Sequence, residues 1–443
     1  MPPGADAMWH FSRRVRAVAR SLFDPFARWW SPPAGPVPAD VLAPASPPAP
    51  STAPVHAPVV PRLVVPRLVG MSSADYARRF GARWRPTHPA TTIDWPVPRT
   101  HPGGPGTPPH VDFGTFLRRE MPELGVLEIE GATLVRPWGW LIGADGIILS
   151  DHTWFSHRFD ATGVHEGRFA RFVDHVLRNA EATPLPGTTL SLLSDFAADN
   201  YCHFLLDALG RLALVEAAGI DLVGIDRILV PEPCSENARR ILAASFLPAE
   251  KIVFVAAEPK TRFLPERLLA PTFPGAPACY VPPVAAELRR RLHRHAAPAG
   301  SATRLYIDRT APRRPLENRA EVLALMEAYG FRIYDPSEHD DQPADFAAAD
   351  VIVGAHGAGL ANLVFCQPGT RVLELMPTDQ MHPYYHTLSW AAGLDYSVLP
   401  CRSAEERPPG DFSPSPHPFR VDIDCLRTAL GAIGCDGRAR TKG

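Results

Sequence analysis

Short apolar runs and amphipathic runs alternate along two stretches of this chain, and the long front before them does not share the pattern. In the first stretch, Val126–Ile129, Thr133–Arg136, Gly139–Ile142 and Ile147–Ser150 predict short strands. Gly131 and the Asp145-Gly146 pair between them are turn signals, the second suited to a tight hairpin. Together they predict a small antiparallel entry sheet. From about residue 187 strands and helices alternate instead. Leu190–Leu193, Arg227–Val230, Lys251–Val255 and Leu268–Ala270 read as strands, and Tyr201–Ala218, Glu236–Phe246 and Val284–His295 as helices. In the first of these helices Leu205, Leu209, Leu212 and Val215 recur at three- and four-residue spacing.

A second alternating block begins at Arg304. Strands are predicted at Leu305–Ile307, Arg332–Tyr334, Val351–Val353, Val372–Leu375 and Tyr396–Leu399. Helices are predicted at Asn318–Tyr329, Ala344–Ala348, Ala358–Phe365 and Tyr384–Ala392. Strands spaced by helices imply parallel sheets with right-handed crossovers. The expected architecture is therefore α/β, with two Rossmann-like domains facing a cleft and joined near Ala296–Ala302. Their expected spans are residues 111–298 and 299–443.

Composition accounts for the front. Of the 51 prolines in 443 residues, 12 fall between Ser31 and Pro66, which excludes helix and inner strand there. Residues 1–110 are expected to be a disordered, proline-rich leader with little core, in which 8–30 reads either as a basic amphipathic helix suited to an anionic membrane surface or as a disordered, mildly basic stretch. That region has a charge balance of +7, which leaves −9 on the rest. An acidic body argues against nucleic acid as a partner, because neutralising phosphates needs a basic face. The seven cysteines are odd in number and form no CxxC pair, which fits a reducing compartment better than a disulfide framework. Arginines 13, 14, 16 and 20 interrupt the apolar core that a secretory signal would need. The expected location is cytoplasmic, with peripheral attachment at the inner face of a membrane as the variant that the basic helix suggests.

Candidate chemistry concentrates in four places. Val351-Ile-Val-Gly-Ala-His-Gly-Ala-Gly-Leu-Ala-Asn362 leads an apolar strand through small residues into a helix. Gly357 and Gly359 would let a ligand approach the backbone, a helix start suits a phosphate, and His356 could donate to a diphosphate oxygen. A tight structural turn with a capping histidine fits the same pattern. Glu374 lies inside the apolar run Arg371–Pro377, where a carboxylate needs a partner or a purpose. It reads as a ribose ligand or as half of an arginine pair. Arg304, Arg309, Arg313 and Arg314 cluster at the first strand of the second block, as a diphosphate clamp or as a solvated loop. Finally, His203 and Asp207 stand four apart in a helix. An imidazole oriented by a carboxylate can act as a general base, and a histidine satisfied locally within its helix is the alternative. No nucleophile elbow, Walker loop, HExxH motif or DxD metal site accompanies them.

These segments, in this order, resemble glycosyltransferase family 61, a group that includes capsular-polysaccharide-type bacterial enzymes. The resemblance is carried by Asn200-Tyr-Cys-His-Phe-Leu-Leu-Asp207, Arg304-Leu-Tyr-Ile-Asp-Arg309, Arg314-Pro-Leu-Glu-Asn318, Gly330-Phe331, and His356-Gly-Ala-Gly-Leu-Ala-Asn362 followed by Glu374-Leu-Met-Pro377. It covers roughly residues 125–400. It implies an inverting, metal-independent transferase of the GT-B architecture. A nucleotide-sugar is then a substrate rather than a cofactor, and a glycan or lipid-linked glycan is the acceptor. Carried onto this sequence, it makes His203 and Asp207 catalytic, Arg309 the diphosphate clamp, and Arg314, His356, Gly357, Gly359 and Asn362 donor-site residues, with Glu374 near the nucleotide ribose. The departures are Phe204 where the family has tryptophan, Asp308 where it has serine, and Glu317-Asn318 in reversed order. A non-catalytic nucleotide- or glycan-binding protein and a nucleotide-sugar epimerase are the alternatives.

Overall fold

The computed structural model describes residues 68–154, 164–165, 173, 177–178, 181–257, 261–292, 303–405 and 415–437. The proposed basic helix at 8–30, the end of the helix drawn to His295 and the joint at 296–302 lie outside them. The protein is a mixed α/β structure with several sheets.

The first large sheet contains Leu68–Met71 (β1), Arg83–His88 (β2), Leu124–Glu130 (β3), Thr133–Val135 (β4), Trp140–Ile142 (β5) and Ile148–Leu149 (β6). It continues through Ala182–Ser191 (β7), Arg227–Pro231 (β8), Ile252–Val255 (β9) and Arg262–Pro271 (β10). β10, β7, β8 and β9 run parallel in that spatial order. β3 and β4 pair antiparallel with β10, so the expected entry sheet is the antiparallel flank of this sheet and not a separate one. The cause is the length of β10, whose edge offers ladder positions to both strands. Around the sheet lie Ser73–Phe80 (α1), Arg211–Ala217 (α2), Glu236–Ala244 (α3) and Pro282–Leu292 (α4).

The second large sheet holds Thr303–Ile307 (β11), Arg332–Tyr334 (β12), Ala349–Ala355 (β13), Arg371–Pro377 (β14), Asp395–Ser403 (β15) and Phe419–Arg420 (β16). Its parallel strands stand in the order β12-β11-β13-β14-β15. β13 and β14 are nearly continuous apolar runs because both faces of a parallel strand are covered. The order reverses between β11 and β13, and open α/β sheets bind ligands beyond the carboxyl ends of the strands at such a reversal. Its helices are Arg319–Ala328 (α5), Gln342–Ala347 (α6), Tyr384–Ala392 (α7) and Ile423–Ala432 (α8). α5 buries Val322, Leu325 and Met326.

Residues 68–110 do not form the core-poor segment expected from composition. In α1, Ser72 caps the start, Gly81 ends the helix in a left-handed conformation, and Tyr76 and Ala77 are buried. Trp95 is buried in an apolar cluster and meets Trp390 of the second block edge-on at 5.9 Å. Arg99–Thr100 adds a short parallel strand to β15, and Val111 and Phe113 pack on Met376 and Val398. The chain thus leaves the first sheet, joins the second, and returns to the first at β3. One apolar cluster draws on both blocks, with Leu205, Leu209 and Tyr280 from one and Ile307, Ile352 and Phe365 from the other. Among the described residues no helix is long and apolar enough to cross a membrane.

Candidate functional site

The helix that starts at Tyr201 is not a regular α-helix. Residues His203–Leu209 form a π-turn that runs on into α2. Gly210 lets the turn close, since a Cβ there would lie 2.0 Å from the Leu206 carbonyl oxygen. Turns of this kind are frequent at functional sites. His203 Nδ1 stands 2.6 Å from Asp207 Oδ2, and Asp207 is fully buried. With Nδ1–H donated to the carboxylate, Nε2 is the basic nitrogen. Burial pushes the Asp207 pKa up, opposed by His203 and by the Arg211 guanidinium.

Arg211 is buried and donates to the Pro271 carbonyl. Burial lowers its pKa to about 10, against the pull of Asp207, Asp195 and Asp151. Two of these carboxylates hold other parts of the site. Asp195 accepts from the Trp140 indole and from the Trp154 amide, each at 2.8 Å. Asp151 accepts from the Ser73 amide at 2.7 Å and from its hydroxyl at 2.9 Å. The charge of a single buried guanidinium therefore acts on the carboxylates that hold the start of α1, the loop at Trp154 and His203.

The second half of the site lies at the switch point. His356 follows β13, and its amide donates to the Leu375 carbonyl at 3.0 Å. Its Nδ1 stands 2.5 Å from Glu374 Oε1, while Tyr396 donates to Glu374 Oε2 at 2.5 Å. Glu374 is fully buried behind His356, with both oxygens engaged, so it does not reach out to a ribose as the sequence suggested. Burial pushes its pKa up to about 8. Burial and the guanidiniums of Arg314 and Arg309 hold His356 well below its ordinary range. With its proton retained, Glu374 would donate to Nδ1 of a neutral imidazole, and His356 would then carry its hydrogen on Nε2.

Arg309 lies across the loop. It donates to the carbonyls of Arg314 at 3.1 Å, Arg313 at 2.5 Å and His356 at 3.4 Å. A Cβ at Gly357 would come within 2.3 Å of its Nη1, so glycine makes room for the guanidinium. Arg314 adopts φ +53° and donates to Gln380 at 3.3 Å. Arg304, by contrast, donates to the Tyr329 carbonyl at 2.7 Å, which is a structural role.

Asn362 is fully buried and ties the blocks together. It accepts from Tyr201 Oη at 2.6 Å and donates to Gln342 at 2.6 Å and to the Gly359 carbonyl at 3.3 Å. It is an anchor beneath the loop, and its amide is committed to protein partners. Ala358–Phe365 is a 3₁₀-helix rather than the expected α-helix. Of the family departures, Asp308 pairs with Arg319 at 3.1 Å. Asn318 exchanges two hydrogen bonds with the Val421 backbone, and Glu317 is exposed.

Tyr384, at the start of α7, brings the two halves together. Its ring centroid is 6.2 Å from that of His203 and 6.3 Å from that of His356. Trp154 lies 5.9 Å from it, nearly parallel at 8°, and meets His203 edge-on at 5.2 Å. His382 stands 6.0 Å from both His356 and Tyr384. None of Tyr384, Trp154, His382, Gln380, Arg211 or Asp195 was picked out from the sequence. The pair Tyr384-Tyr385 opening a helix just after a strand was the available signal. Among the described residues no group of three or more His, Cys, Asp or Glu could hold a metal ion.

Comparison with known proteins converges on this region. Residues 201–373 match the family model for glycosyltransferase 61. A beta-1,2-xylosyltransferase of Arabidopsis thaliana is 31% identical over 95 residues, which is 21% of this chain and 16% of that protein. A beta-1,2-xylosyltransferase of Oryza sativa subsp. japonica is 39% identical over 51 residues, 12% of this chain and 10% of its own length. A protein O-linked-mannose beta-1,4-N-acetylglucosaminyltransferase 2 of Tetraodon nigroviridis is 35% identical over 98 residues, covering 20% of this chain and 17% of the fish protein. These matches span less than a fifth of each relative, and the relatives are plant and fish proteins rather than enzymes of bacterial capsules. The matched region holds His203, Asp207, Arg309, Arg314, His356 and Asn362, and over residues 201–373 the chain is similar to glycosyltransferase family 61.

Proposed function

We propose that the protein is an inverting glycosyltransferase with a GT-B-like division of labour, in which the first block receives a glycan or lipid-linked glycan acceptor and the second a nucleotide-sugar donor. The observation that carries this is the pairing of two histidine–acid couples on either side of Tyr384, one couple at the switch point of a parallel sheet. The donor diphosphate lies beyond β11 and β13, facing His356 Nε2–H and the charge of Arg309 and Arg314. The acceptor hydroxyl gives its proton to His203 Nε2, and Asp207 stabilises the imidazolium that results. As the acceptor oxygen bonds to the sugar's anomeric carbon, the bond to the diphosphate breaks on the opposite face. The electron pair leaves with the diphosphate, whose charge the guanidiniums meet in a preorganised site.

The test is a thermal-shift panel of UDP-, GDP- and CMP-sugars at millimolar concentration, followed by turnover with the stabilising donor. One donor class should raise the melting temperature. His203→Gln should keep that shift and lose turnover by about 10²–10⁴-fold, the range for a general base. Absence of any shift, or full turnover in the variant, would overturn the assignment.

A further inference from the structure

The function above leaves unexplained the two aromatic rings that stand at the reacting centre. Trp154 and Tyr384 are both half-buried beside the histidine–acid couples. Their positions are held. The Trp154 amide is fixed by Asp195, and its ring is also met edge-on by Phe273 at 5.9 Å and Phe196 at 6.2 Å. Tyr384 is set by the start of α7, and the Tyr384 carbonyl accepts from Thr387 at 3.2 Å. A rigid, partly exposed aromatic face beside polar groups suits a ligand with one apolar and one hydroxylated face. The axial C–H face of a pyranose ring has that character.

Resting on the proposed transfer, we infer that Trp154 and Tyr384 form the stacking wall for the acceptor's sugar ring, and so restrict the acceptor to a glycan end rather than a protein hydroxyl. The place of the wall distinguishes its occupant. A nucleobase also stacks on aromatic rings, but it stands a ribose and a diphosphate away from the reacting carbon. The wall lies beside His203, the base that takes the acceptor's proton. A serine or threonine acceptor would present no ring to fill it. With a pyranose against the wall, a ring hydroxyl comes to His203 Nε2.

Saturation-transfer NMR on the full chain, with UDP present, tests this using the methyl glycosides of α-mannose, β-galactose and β-N-acetylglucosamine. At least one should show transfer concentrated on the protons of one ring face. Trp154→Ala should weaken its binding at least tenfold. Trp154→Leu, which fills the space without a π-face, should do the same, and Trp154→Phe should restore most of it. The thermal shift with nucleotide should be equal in all four proteins. Sugar binding unchanged in Trp154→Leu, or no transfer to any of the three glycosides in the parent protein, overturns the wall. Loss of the nucleotide shift in the parent protein alone would overturn the donor assignment and leave the glycoside result to decide the wall.

Discussion

At the scale of single residues, the site is made of ionisable groups that burial has moved away from their ordinary titration. Glu374 rises from 4.5 to about 8, so the folded protein keeps a proton that the unfolded chain has already lost. Over that interval the unfolded state binds fewer protons, and stability falls as pH rises. Asp195, at about 7, and Asp151, at about 6, act in the same direction. His152 and His356 are held well below 6.5 and act oppositely, but only where an unfolded histidine is protonated. Above about pH 7.5, where an unfolded histidine has lost its proton, Glu374 acts without that opposition. The melting temperature should fall between about pH 7.5 and pH 8.5 at constant ionic strength, and Glu374→Gln should flatten the slope. Scanning fluorimetry of both proteins across that window checks it, and an equally steep slope in the variant would sink the account.

At the scale of elements, the bond between Tyr201 and Asn362 joins the helix at 201 to the 3₁₀-helix after β13. Asn362→Leu would leave Tyr201 Oη and Gln342 Oε1 without this partner in a buried place. The expected loss is about 1–3 kcal/mol for each group stranded. Tyr201→Phe should cost less, because it strands only the Asn362 oxygen. Urea denaturation of both variants measures the difference, and equal costs would argue against Asn362 as the shared anchor.

Much of this level was legible in the sequence. β11, β13 and β14 announced themselves as continuous apolar runs, and His203 with Asp207 followed from helical spacing. β10 was recognised only at Leu268–Ala270, because Arg262, Pro265, Glu266 and Arg267 break its apolar character. β2, with the sequence Arg83-Trp-Arg-Pro-Thr-His88, carries no strand pattern at all. The π-turn keeps the same leucine spacing as an α-helix and is invisible to periodicity. His356 meets Glu374 through lateral pairing, since β13 and β14 align Gly354 with Glu374. Register between strands is a tertiary fact, and so is the meeting of Trp154 with Tyr384.

At the scale of the molecule, composition drew the boundary of the body too late. A chain beginning at Val111 would lack β1, α1 and β2, the burial of Trp95 and the strand pair at Arg99–Thr100. It would also free Asp151 from Ser73. A chain beginning at Leu68 keeps these contacts. Deletion of residues 1–67 should leave the melting temperature within a few degrees, and deletion of residues 1–110 should give aggregation or loss of the cooperative transition. Calorimetry of the two truncations decides, and a cooperative transition in the shorter chain would contradict the packing of 68–110.

The passage of the chain from the first sheet to the second and back also sets an order of events during synthesis. Arg99 and its partner Asp395 are 296 positions apart. At 5–20 residues per second, a ribosome needs roughly 15–60 s to deliver the second after the first. Through that interval Val111 and Phe113 have no Met376 or Val398 to cover them. The second sheet is thus completed by residues made long before it, which ties its closure to the end of translation. Nascent chains stalled near residue 370 should offer this segment to proteases and chaperones that the finished protein resists.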